Sequence, residues 1–190
     1  MKLIIGLGNP GSKYKKNRHN VGFMFLDFLS ETEKFKNEKF QEEKKFFGSG
    51  VKTNNVILLK PSTYMNNSGQ AAQAVVNFYK IQNSAMLIIH DDLDLEFGQI
   101  KLQTEKSSAG HNGVDSIINA LGTNRFWRLR IGINNGLKDK IPGDKFVLAD
   151  FLPQEMEKLP DIFGQSLEII SEFMHNEDGT LTNKNLKIPV

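Results

Sequence analysis

Four polar residues stand where an α/β chain gathers its chemistry. Asn9 follows the first apolar run, Asn66 and Asn112 open two apolar-periodic segments, and Asp91 ends the run Met86–His90. In open α/β sheets ligands bind outside the carboxyl ends of the strands. These positions form one site if their strands are neighbours. Each also has a plainer use. Asn66 and Asn112 could cap helices, and Asn9 before Pro10 could make an Asx-type turn. His19 could anchor its loop, and Asp91 could close a strand-end turn.

The block His90-Asp91-Asp92-Leu93-Asp94 carries three carboxylates, enough oxygen to hold Mg²⁺. On a strand, though, adjacent side chains point to opposite faces, so Asp91 and Asp92 would not share an ion. No second acidic cluster stands at an informative spacing. The expectation is a site without a metal or cofactor. The chain has no cysteine, which excludes disulfides, thiolate metal sites and a cysteine nucleophile. The absence of a G-x-S-x-G elbow argues against serine hydrolase chemistry.

The segment Gly6-Leu7-Gly8-Asn9-Pro10-Gly11 satisfies G-x-G-x-x-G directly after the strand Leu3-Ile4-Ile5. A dinucleotide turn must open a helix at its third glycine. Here Pro10 biases Asn9 away from helical dihedrals, and Ser12–His19 has no apolar period. The glycines are expected to end a strand and launch a basic loop instead.

Length and composition set the frame. At 190 residues, with 39% hydrophobic and 24% charged residues, one globular domain is the economical reading. The net charge of +2 says little, but its distribution says more. Lys13, Lys15, Lys16 and Arg18 share one loop, and Arg125, Arg128 and Arg130 another short segment. Such runs suit either a nucleic-acid partner or a solvated face. Only Lys2 precedes a four-residue apolar strand, too little for a signal peptide, and no apolar run reaches the length of a membrane span. A cytoplasmic setting is expected.

Periodicity gives the elements that must position these residues. Strands are expected at Lys2–Leu7, Met86–His90, Gln99–Gln103 and Phe126–Ile133. A hairpin joins Phe46–Thr53 to Val56–Lys60 through Asn54-Asn55. Helices are expected over about Asn20–Lys34, Asn66–Lys80, His111–Leu121 (stopped by Gly122) and Gln154–Met174. Residues 1–190 then form one α/β domain, a layered fold with a twisted, mostly parallel mixed sheet flanked by helices. The polar stretch after about 177 is expected to dock loosely.

Five ordered motifs over about 130 residues resemble the bacterial-type peptidyl-tRNA hydrolase family. They are G-L-G-N-P-G with a spaced Tyr14 and Arg18-His19-Asn20-Val21-Gly22; Pro61-Ser62-Thr63-Tyr64-Met65-Asn66-Asn67-Ser68-Gly69; His90-Asp91-Asp92-Leu93-Asp94-Leu95; Ala109-Gly110-His111-Asn112-Gly113; and Phe126–Ile133. The chain departs from the pattern at Asn17, where the family usually has Thr, and at Glu105-Lys106-Ser107-Ser108, where it usually has glycines and small residues. It departs again at Asn134-Asn135-Gly136.

The resemblance implies hydrolysis of the ester between an N-blocked peptidyl group and the 3′-terminal ribose of tRNA, without metal or cofactor. It implies a monomer with no obligate protein partner. His19 would activate water and Asp91 would hold its imidazole. Asn9 would help distinguish a blocked from a free amino group. Tyr14, Tyr64, Asn66 and Asn112 would position the tRNA 3′ end and the ester, with Met65 on the floor. Lys13, Lys15, Lys16, Lys101 and Arg130 would meet the tRNA backbone. A noncatalytic RNA-binding module on the same fold is the alternative from another class.

Overall fold

The computed structural model describes residues 1–137, 140–176 and 181–189. Its eight strands are β1 (Lys2–Gly6), β2 (Gln41–Glu43), β3 (Gly48–Lys52), β4 (Val56–Pro61), β5 (Met86–Glu96), β6 (Gln99–Gln103), β7 (Trp127–Asn134) and β8 (Lys184–Lys187). They form one sheet in the order β2-β3-β4-β1-β5-β7-β6-β8. The central four, β4-β1-β5-β7, pair in parallel. The pairings outside them are antiparallel. The α/β class and the mixed, helix-flanked sheet are as expected. β1 lies between β4 and β5, and β5 beside β7, so the strands that lead to Asn9, Asn66 and Asp91 are neighbours.

The central strands are buried on both faces, which is why they read as continuous apolar runs. Ile4, Leu87, Ile89, Leu129 and Ile131 face one core with the helices α1 (Val21–Ser30), α5 (Pro153–Gln165) and α6 (Leu167–His175). Leu3, Ile5, Met86 and Ile88 face the other core with α2 (Ser68–Tyr79) and α3 (Asn112–Leu121). Val21, Phe25 and Leu29 recur every fourth residue along the buried stripe of α1.

Two glycines let α1 lie on the sheet. A Cβ at Gly22 would come within 2.3 Å of the Ile89 carbonyl oxygen, and one at Gly6 within 2.3 Å of the Gly22 oxygen. Backbone bonds close the contact, from Phe23 N to Leu7 O at 3.2 Å and from Leu7 N to Ile89 O at 2.9 Å. The start of α1 is thereby fixed against the carboxyl ends of β1 and β5. Gly6 and Gly8 of the motif serve this close approach, Gly11 takes a φ of 108°, and the chain makes only a single 3-10 turn at Ser12–Tyr14 and another at Arg18–Asn20 before α1.

Several boundaries differ from expectation. The long last helix is two, broken at Ser166, whose hydroxyl donates to the Ile162 carbonyl at 2.7 Å and competes with the helical ladder. β5 runs on through Asp91 to Glu96, with a register shift after Asp92. A short helix α4 (Gly143–Leu148) and the polar edge strands β2 and β8 have no counterpart among the expected elements. Of the stretch expected to dock loosely, residues 177–180 lie outside the described residues, while Lys184–Lys187 pairs with β6. Among the described residues no helix is long and apolar enough to cross a membrane.

Candidate active site

His19 lies in the one-turn 3-10 segment Arg18–Asn20 that leads into α1. The tight seating of α1 brings this turn over the end of β5. His19 Nδ1 stands 2.8 and 3.0 Å from the two Asp91 carboxylate oxygens, with both groups buried. An ionised carboxylate only accepts, so Nδ1 carries the proton and donates. His19 Nε2 makes no hydrogen bond among the described residues, and the ring lines a cavity of about 400 Å³. Asp91, Gly110, His111, Asn112 and Val147 line the same cavity.

Electrostatics follow from this geometry. Burial works against a charged His19 ring, but the Asp91 charge and hydrogen bond outweigh it and raise its pKa above the ordinary imidazole value. Burial likewise opposes the Asp91 charge, yet His19 and His111 together hold its carboxyl well below the usual range. His90, buried next door, donates from Nδ1 to the Asp91 carbonyl at 2.7 Å. Its own burial and the nearby His111 keep it neutral.

His111 is the member of this cluster that sequence reasoning passes over. Its Nδ1 accepts from the backbone N–H groups of Gly113 and Val114 at 3.1 and 3.3 Å, capping α3. That fixes the proton on Nε2, which donates to Asp91 Oδ1 at 2.9 Å. The G-H-N-G motif contains the signal, but asparagine is the commoner capping residue and draws the cap to Asn112. Asn112 is instead the first residue of α3, exposed and at the cavity rim.

His19, Asp91 and His111 also place three donor atoms within 4.8 Å of one another, a set that a divalent ion could use. The tautomers oppose it. Ligation through His111 Nε2 while Nδ1 still accepts the two cap bonds would need an imidazolate. The trio suits two hydrogen bonds to one carboxylate better than an ion.

The other expected site residues divide. Asn9 is buried, and its Oδ1 accepts from Met65 N at 2.9 Å. Its backbone is held on both sides by the Asn20 amide at 2.9 Å. Nδ2 of Asn9 makes no hydrogen bond among the described residues, which leaves a donor in place. Asn9 lines a second cavity of about 500 Å³, with Lys15, Phe23 and Lys60, rather than that of His19. Asn20, part of a sequence motif but given no role there, holds the Asn9 backbone in place.

Met65 is 4% exposed and belongs to the α2–α3 core. A Cβ at Gly113 would meet its sulfur at 2.5 Å. It packs beneath the site and lines neither cavity described above. Tyr14 and Tyr64 meet edge to face at 6.5 Å on the surface. Asn66 is exposed beside Met65, and the capping position of α2 falls to Asn67.

Lys101 and Arg130 are register partners on β6 and β7. Arg130 donates from Nε to Asp92. Arg128 is 1% exposed and reaches Ser107 O at 2.7 Å; burial pushes it down to about 10. Of the basic loop, Arg18 turns inward.

An imidazole–carboxylate couple beside an open cavity, at the carboxyl edge of an α/β sheet, defines the class: an α/β enzyme equipped for acid–base chemistry. Comparison with known proteins narrows it. The family model for peptidyl-tRNA hydrolase matches residues 3–188. The chain is 43% identical over 177 residues to the peptidyl-tRNA hydrolase of Mycoplasma mycoides, covering 93% of this chain and 95% of the relative. It is 42% identical over 184 residues to that of Campylobacter concisus, covering 97% and 95%. The crystal structure of the Acinetobacter baumannii peptidyl-tRNA hydrolase superposes with a TM-score of 0.81 at 36% identity, covering 92% of this chain and 88% of that one. The chain therefore belongs to the peptidyl-tRNA hydrolase family, and it is a hydrolase that acts on an ester bond in translation.

Proposed function

We propose that the enzyme cleaves the ester between an N-blocked peptidyl or N-acyl-aminoacyl group and the 3′-terminal ribose of tRNA, recycling tRNA from prematurely released peptidyl-tRNA. His19 is the general base. The observation that carries this is the His19–Asp91 couple, which fixes one ring nitrogen and leaves the other at the cavity.

Water bound at Nε2 gives up its proton as it attacks the ester carbonyl, the imidazolium that forms is stabilised by Asp91, and that proton passes to the 3′-terminal ribose oxygen as the ester C–O bond breaks, releasing the carboxylic acid and free tRNA. The negative charge developing on the carbonyl oxygen is met by an amide donor. Asn112 on the cavity rim is the candidate, while Asn9, on the second cavity, offers its unengaged Nδ2 for telling a blocked from a free amino group. Tyr14, Tyr64 and Asn66 form an exposed polar and aromatic surface for the single-stranded 3′ end. Lys101 and Arg130, with Lys13, Lys15 and Lys16, supply cations for the backbone. Met65 acts through packing beneath Asn9.

No step needs a metal or cofactor. We read the enzyme as monomeric and cytoplasmic. Its large exposed apolar side chains are spread over separate elements, and a chain without cysteine suits a reducing compartment. Hydrolysis of N-acetyl-aminoacyl-tRNA, with and without EDTA, tests the reading. Release of the amino acid at equal rates in both arms supports it. No release, or release only without EDTA, rejects it. The same assay dismisses the binding-module alternative.

A further inference from the structure

We infer that Arg18 and Glu155 are positioning residues for His19. Their buried ion pair clamps the one-turn segment that carries the imidazole to the wall of the cavity in which it works. This rests on the reading of His19 as the base.

Arg18 is the residue next to His19, yet its side chain points away from the cavity into the protein. Nη2 meets Glu155 Oε2 at 2.7 Å, with side-chain exposures of only 3% and 5%. Nη1 donates to the Asp150 carbonyl at 2.5 Å. The guanidinium lies over the rings of Phe146 and Phe151, at 4.5 and 5.4 Å from their centroids. Glu155 is itself held on both oxygens, by Asn135 Nδ2 at 2.6 Å and by Leu152 N at 2.7 Å.

The main chain repeats the connection. Arg18 N donates to Ala149 O at 3.0 Å, and Phe151 N to Lys16 O at 2.9 Å. Asn17, where the family usually has Thr, donates from Nδ2 to Asp150 Oδ1 at 2.6 Å. Residues 16–18 are thus stapled to 149–155. Immediately before lies α4, whose Gly143, Asp144 and Val147 line the His19 cavity. The proposed base and the α4 part of the cavity wall are tied to each other through this clamp.

A buried ion pair is poor evidence for stability, because desolvation consumes most of the attraction. Here Arg18 Nε is also buried without a partner among the described residues, a further cost. An apolar pair of similar volume would hold the two segments together as well or better. What such a pair lacks is direction. The guanidinium fork fixes the rotation of the segment, and with it the line from His19 to Asp91. Misplacing a reacting group by about 1 Å costs on the order of 10²-fold in rate.

The test replaces the pair by apolar residues, Arg18→Met with Glu155→Met, so that no charge is stranded. Three quantities are read: kcat and KM for N-acetyl-aminoacyl-tRNA, the melting temperature, and the imidazole ¹⁵N resonances of His19, one of four histidines in the chain. We expect the melting temperature to hold, KM to stay within about threefold, kcat to fall by about 10²-fold and the His19 resonances to shift. Unchanged kcat and unchanged His19 resonances overturn the inference and leave the pair merely structural. A shift in the resonances with kcat retained supports the clamp but removes His19 as the base, a result that His19→Ala would show independently. If the double variant melts early, Arg18→Lys decides between the two roles by the same readouts. It keeps the charge but loses the fork, so partial rescue of kcat is expected, and full wild-type kcat with unmoved resonances overturns the clamp.

Discussion

Asp91 and Asp92 are adjacent on β5 and both buried, at 3% and 6% exposure, yet they serve two different regions. Asp91 accepts from two imidazoles, His19 and His111. Asp92 accepts from the Arg130 guanidinium and from the backbone N–H of Asp94. The pleat of the strand turns the two carboxylates to different partners, although both border the His19 cavity. A partner that is imidazole changes protonation near neutral pH; a guanidinium does not. One pair can therefore move a proton while the other holds a fixed charge beside it. A block of carboxylates that looks like a metal site in one dimension becomes an imidazole–carboxylate couple and an anchored cation in three.

The hardest blow to this contrast is His19→Ala. Loss of a general base costs roughly 10²–10⁴-fold in rate, and kcat should fall by that much while tRNA affinity stays within about twofold. A variant that keeps more than about a tenth of the activity removes His19 as the base.

Asp91→Asn comes next and separates the two carboxylates by pH. With His19 as the proposed base, the reaction needs its neutral ring, so activity is expected to be lost as pH falls through the raised pKa. Burial lowers that pKa, and only Asp91 raises it. Without the carboxylate the pKa drops, and the acid limb of kcat against pH moves to lower pH. The plateau also falls, because the amide no longer favours the imidazolium. Asp92→Asn should move neither limb nor plateau. Equal pH profiles for the two variants would break the comparison.

The fixed-charge region predicts a smaller effect, in binding rather than chemistry. Lys101→Ala or Arg130→Ala should weaken tRNA binding and flatten its log–log dependence on salt by about 0.7–0.9 for each phosphate no longer neutralised. Turnover at saturation should hold. Asn112→Ala should do the reverse, with the salt slope kept and saturated turnover reduced. If Arg130→Ala changes neither affinity nor slope, Arg130 serves Asp92 alone, and the loop of Lys13, Lys15 and Lys16 becomes the better candidate.

The split between Asp91 and Asp92 is legible in the sequence because strand periodicity is local. So are the parallel centre, whose apolar runs leave little choice, and the refusal of Gly11 to open a helix. What escapes depends on residues distant along the chain. His111 meets Asp91 twenty residues away, and no period marks that meeting. Arg18 reads as one more cation in a basic loop until Glu155, 137 residues on, is placed against it. The strands β2 and β8 are polar edge strands without apolar alternation, and α4 buries only Phe146, so neither leaves a hydrophobic signature.

The smallest expected effect concerns the loop leading into His111. Glu105 and Ala109 adopt φ of 55° and 53°, left-handed values that cost a non-glycine residue about 1 kcal/mol or more. Both are exposed. The loop between them is held from below by the bond from Arg128 to the Ser107 carbonyl, which no side-chain change at 105 or 109 removes. Glu105→Gly with Ala109→Gly relieves the strain but adds unfolded-state entropy of about 0.5–1 kcal/mol per glycine. The net gain should be about 1 kcal/mol or less, a rise of roughly 1–4 °C in melting temperature for a chain of this size. The acid limb of the pH–rate profile should not move. The His111 ring is fixed by its cap bonds to Gly113 and Val114 and by Asp91, and its backbone N–H donates to the Ser108 carbonyl at 3.1 Å, a bond that no side-chain change at 105 or 109 removes. A shifted limb in this double variant would mean that the titrating region extends into the loop, and that Asp91 and its two imidazoles are not the self-contained unit the strand geometry describes.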